Sequence, residues 1–75
     1  MSRAGKALKA VLEKYGISQN QLAVTMKVGR ANISRWVSET RDPTGEGIYE
    51  IHKGLLSIDP AAAEDFVMKY LYDED

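Results

Sequence analysis

Apolar residues recur at helical spacing along most of the chain. Over residues 3–15, Ala4, Leu8, Val11, Leu12 and Tyr15 fall on one face, with Arg3, Lys6, Lys9, Glu13 and Lys14 largely on the other. Gly16 is placed to end this helix, because a residue without Cβ accepts the left-handed backbone of a C′ position. Ser18 and Gln21 then form a capping box, and Ile17 with Leu22 a hydrophobic staple across it. These signals predict a second helix from Gln19 to about Met26 that buries Leu22, Ala23 and Met26. After Lys27-Val28-Gly29, a third helix over about Arg30 to Val37 has Ile33, Trp36 and Val37 as its apolar face. Two such short helices joined by three residues cross steeply instead of lying antiparallel.

Residues 38–47 are polar and hold Pro43, Gly45 and Gly47, so they predict a loop. Thr44 is the expected N-cap of a fourth helix running through Ile48, Ile51, Leu55 and Leu56, with Gly45 and Gly47 loosening its first turn. Asp59-Pro60 supplies an N-cap and an N1 proline for a fifth helix at about 60–72, carrying Ala62, Ala63, Phe66, Val67, Tyr70 and Leu71. An acidic tail, Asp73-Glu74-Asp75, follows. No strand-like alternation competes, so the expected fold is all-α, a compact bundle of five short helices forming a single domain over residues 1–75.

Composition narrows the function. The chain has 75 residues, 44% of them hydrophobic, which is ordinary for a folded globule. It has no cysteine, so disulfides, thiolate zinc sites and thiol nucleophiles are excluded. His52 is the single histidine and reads as a surface residue; no Gly-rich phosphate loop or clustered ligand set accompanies it. The chain is therefore not expected to be an enzyme or to hold a metal or cofactor, and nothing points to a small-molecule ligand. No apolar run approaches the roughly 20 residues of a membrane span. Met1-Ser2-Arg3 leads into charged sequence and not a signal core, so a cytoplasmic protein is expected.

The net charge of −1 conceals a division. Residues 1–41 hold eight basic side chains against Glu13 and Glu39, a net of +6, whereas residues 42–75 hold Lys53 and Lys69 against nine carboxylates, a net of −7. The basic half contains the two steeply crossing helices. That polarity suits one face turned toward a polyanion and another turned away.

Ser18-Gln19-Asn20-Gln21-Leu22-Ala23, followed by Ile33-Ser34-Arg35 and Trp36, resembles the Cro/repressor-type helix-turn-helix family of bacterial and phage regulators. Ala23 and Ile33 stand ten positions apart, a spacing that fits the family's pattern. Arg41-Asp42-Pro43-Thr44 through Ile48 is similar to the family's stretch into helix four. The resemblance implies a lambda-repressor-like domain with its helix-turn-helix at about 18–37. Lys27 stands where the family usually has a glycine, at a position that often takes the left-handed conformation. Gly29 stands where a serine or threonine usually caps the recognition helix.

The resemblance further implies a sequence-specific binder of double-stranded DNA, a small transcriptional regulator acting as a repressor. On this register Arg30, Ala31, Asn32, Ser34 and Arg35 are the base-reading candidates: arginine suits guanine, asparagine adenine, and alanine the thymine methyl. Gln19, Asn20, Lys27, Arg41 and Thr44 are the candidates for phosphate. Arg30 or Arg35 turned toward Glu39 or another carboxylate would weaken this reading. Binding as a homodimer on a pseudo-palindrome is expected, and Phe66, Val67, Tyr70 and Leu71 are the residues for that contact unless helix five only closes the core. The rival expectation is a protein-interaction module on the same fold, such as an antitoxin-like or anti-repressor partner.

Overall fold

The computed structural model describes residues 3–72, which form five helices in the order α1 (Arg3–Tyr15), α2 (Gln19–Met26), α3 (Arg30–Val37), α4 (Gly45–Ile58) and α5 (Pro60–Leu71). The acidic tail lies outside the described residues. Each start has its chemical reason. Ser18 Oγ accepts from the Gln21 amide at 2.9 Å, Thr44 Oγ1 from Gly47 at 3.0 Å, and Asp59 Oδ1 from Ala61 at 3.0 Å. These bonds satisfy amides that have no partner inside their own helix. Gly29 begins α3 in extended backbone without a side-chain cap.

The first three helices end alike. Gly16 (φ 65°), Lys27 (φ 61°) and Glu39 (φ 63°) each adopt the left-handed conformation directly after their helix or its last turn. The next amide then bonds back to a carbonyl five residues earlier: Ile17 to Leu12 at 2.9 Å, Val28 to Ala23 at 3.0 Å, Thr40 to Arg35 at 3.0 Å. This is the Schellman arrangement, and it turns the chain sharply enough to keep the helices short. Glycine takes that conformation without penalty; a residue with Cβ is disfavoured there by about 1–2 kcal/mol. Both ends of the connection around α3 thus carry backbone strain.

All five helices contribute to one core. α1 packs against α3 and α5, α2 against α3 and α4, and α4 against α5. Leu8, Val11, Leu22, Ile33, Ile51, Leu55 and Phe66 are fully buried at its centre. Tyr15, Met26, Trp36, Val37, Ile48, Val67 and Tyr70 are half-buried around it. The small side chains of Ala62 and Ala63, both 0% exposed, permit the close approach of α5.

Two expectations change here. Phe66 is 0% exposed and fills the monomer core, so it has no surface to offer a second copy. Its neighbours on α5 divide: Val67 and Tyr70 pack half-buried against the core, whereas Leu71 is 56% exposed. Gly47 does more than loosen α4. A Cβ there would meet Pro43 Cβ at 3.1 Å, with Trp36 close behind, so the missing side chain makes room for the loop to fold back.

Among the described residues, no helix is long and apolar enough to cross a membrane, and no group of histidine or carboxylate side chains is clustered to hold a metal ion.

Candidate nucleic-acid interface

The interface is built on the α2–α3 crossing. Ala23 of α2 and Ile33 of α3, 3% and 0% exposed, both belong to the buried core, and the two helices pack against each other. Ile33 in the core fixes the rotation of α3 about its axis. With Ile33 inward and Trp36 and Val37 half-buried, Ala31, Ser34 and Arg35 turn to the outer side, and Arg30, in the first turn, is exposed as well. All four are solvent-exposed, and Asn32 lies at the border, part-buried.

Arg35 turns toward a neutral partner: its Nη1 donates to Asn32 Oδ1 at 3.2 Å. Asp65 on α5 accepts from Lys14 Nζ at 3.0 Å and lies 3.7 Å from Lys69 Nζ, with the Tyr15 hydroxyl donating to it at 3.3 Å. The hydrogen bond from Lys14, reinforced by the charges of Lys14 and Lys69, holds the Asp65 carboxyl below the ordinary aspartate value despite partial burial. The same hydrogen bond raises Lys14 above the ordinary lysine value. This cluster links α1 to α5.

The phosphate candidates surround α3 along the chain. Gln19, half-buried, and Asn20, exposed, occupy the first turn of α2. Lys27 sits in the turn, and Arg41 and Thr44 in the connection to α4; all three are exposed. Thr44 Oγ1 accepts the capping bond from Gly47, which leaves its hydroxyl proton available to a phosphate oxygen. Beside Gln19, an open groove of about 390 Å³ runs between Lys9, Leu12, Glu13, Ile17, Ser18 and Val37.

Two features here were not read from the sequence. The Asn32–Arg35 hydrogen bond has a signal in its spacing of three residues on a helix. The left-handed Glu39 has none, since neither a glycine nor an asparagine marks it.

A short helix held across another by a strained three-residue turn, with a basic and polar outer face, defines a helix-turn-helix DNA-binding module. The chain belongs to the Cro/repressor-type helix-turn-helix family: the model of that family, described as Helix-turn-helix, matches residues 8–55. It is a DNA-binding regulator in this general sense, with the lambda-repressor-like all-α fold. No curated protein and no solved structure matches the chain.

Proposed function

We propose that the protein is a sequence-specific binder of double-stranded DNA, a single domain over residues 1–75 that acts as a transcriptional repressor by occluding its site. The observation that carries this reading is the exposed stripe of Arg30, Ala31, Ser34 and Arg35, set by the burial of Ile33. Such a stripe at the N-terminal part of a recognition helix meets base edges in the major groove. Gln19, Asn20, Lys27, Arg41 and Thr44 hold the flanking phosphates and fix the register of the helix.

One module reads few base pairs, so affinity and specificity come from a homodimer on two half-sites. With Phe66 in the core, the dimer contact falls to the exposed end of α5: Leu71, Met68 and Tyr72 are 56%, 52% and 64% exposed, beside half-buried Val67 and Tyr70. The same apolar residues would serve a protein partner on the rival reading. Selection from a random duplex pool at moderate salt, with Arg30→Ala and Arg35→Ala as controls, separates the two. Enrichment of one motif that is lost in both variants supports DNA reading; no enriched sequence, or unchanged binding in both variants, favours the interaction module. Sedimentation of wild type and Leu71→Asp tests the dimer.

A further inference from the structure

Asn32, at the part-buried border of α3, and Arg35, on its exposed side, stand one helical turn apart, and the guanidinium of Arg35 donates to the amide oxygen of Asn32. Resting on the DNA-reading role above, we propose that they form a single base-reading unit directed at guanine, in which Asn32 is a positioning residue for Arg35 and not an independent reader of adenine. An asparagine that reads adenine must accept from the base amino group through Oδ1 while Nδ2 donates to N7. Here Oδ1 already faces a cation. An adenine amino group brought to that oxygen would meet guanidinium N–H groups, donor against donor.

The unit presents mainly donors outward, since one lone pair of Asn32 Oδ1 is taken by Arg35. Arg35 keeps the rest of its five N–H groups, and Asn32 keeps its two amide hydrogens. In the major groove, guanine offers two acceptors on one base, O6 and N7, spaced for a guanidinium fork. The Asn32 amide then donates to an acceptor at the adjoining step, the O4 of thymine or the O6 or N7 of a second guanine. Fixing the long Arg35 side chain before contact also reduces the rotamer freedom lost on binding.

The test is a double-mutant cycle read at single base pairs. Binding of wild type, Asn32→Ala, Arg35→Ala and the double variant is measured on the selected duplex and on duplexes substituted at each position. Arg35→Ala should lose about 10–100-fold of the preference for guanine at one base pair. Asn32→Ala should weaken that same preference by about 3–10-fold, and the double variant should resemble Arg35→Ala within about twofold. Asn32→Asp retains the acceptor, so it should keep the guanine preference while losing overall affinity. Independent, additive losses, or an adenine position that relaxes only in Asn32→Ala, overturn the unit and leave the DNA-reading role intact. Failure of the wild type to select any sequence overturns both. Far-UV circular dichroism of each variant verifies that α3 is retained.

Discussion

Gly54 of α4 faces Met26 of α2 with no space between them: a Cβ at position 54 would lie 2.7 Å from Met26 Cγ and 3.2 Å from Leu22 Cδ1. This contact seats α2 on the rest of the bundle. In Gly54→Ala, crowding that costs about 1–3 kcal/mol is partly offset by about 1 kcal/mol of helix propensity. The expected net loss is about 1 kcal/mol, since methionine is flexible. Gly54→Val lacks that offset and should lose about 3 kcal/mol. Urea denaturation midpoints measure both, and a stable Val variant would mean that α2 and α4 are not in contact at this point.

Lys27 separates stability from binding. Its left-handed backbone is disfavoured by about 1–2 kcal/mol, and replacing it with glycine adds about 0.4–1 kcal/mol of unfolded-chain entropy. Lys27→Gly should therefore stabilise the protein by about 0.5–1 kcal/mol while weakening its binding to DNA. Thermal unfolding and duplex titration at one salt concentration give the two signs. A destabilised glycine variant would show that the strain is absent.

The Asp65 cluster predicts a pH dependence. A carboxyl whose folded pKa is lowered contributes stability that is fully present above its unfolded value, about 4, and that is lost as pH falls through the lowered folded value. The raised Lys14 works oppositely: its contribution holds below the ordinary lysine value, about 10.4, and fades as pH rises through the higher folded one. Asp65→Asn should lower Tm between about pH 5 and 9, with the difference from wild type shrinking in strong acid. A difference that stays constant down to pH 2 would assign the effect to packing.

Salt dependence counts the phosphates. Neutralising about five of them gives a slope of log binding constant against log salt of about −4 to −5. Lys27→Ala and Arg41→Ala should each reduce the magnitude of that slope by about 1 and weaken all sequences equally, unlike Arg35→Ala. A wild-type slope near zero would leave the phosphate assignments without support.

Helix positions were legible because their signals are local. The caps at Ser18, Thr44 and Asp59, and the end at Gly16, are chemistry between residues a few positions apart. The left-handed Lys27 was legible through the family pattern, not through its own residue type. The end of α3 at Glu39 was illegible because no residue there prefers that backbone.

Five amphipathic helices, their order and the division of charge between the two halves follow from the chain alone. Periodicity and capping depend on neighbours in the chain, so they are written in it. The packing of the helices decided how α5 is used, burying Phe66 and leaving Leu71 exposed, since both are apolar and burial depends on which side meets α1 and α4. It likewise decided that Arg35 turns to Asn32, and that Met26 fills the space beside Gly54. Such choices rest on rotamers and on distances between helices, which no spacing along the chain encodes.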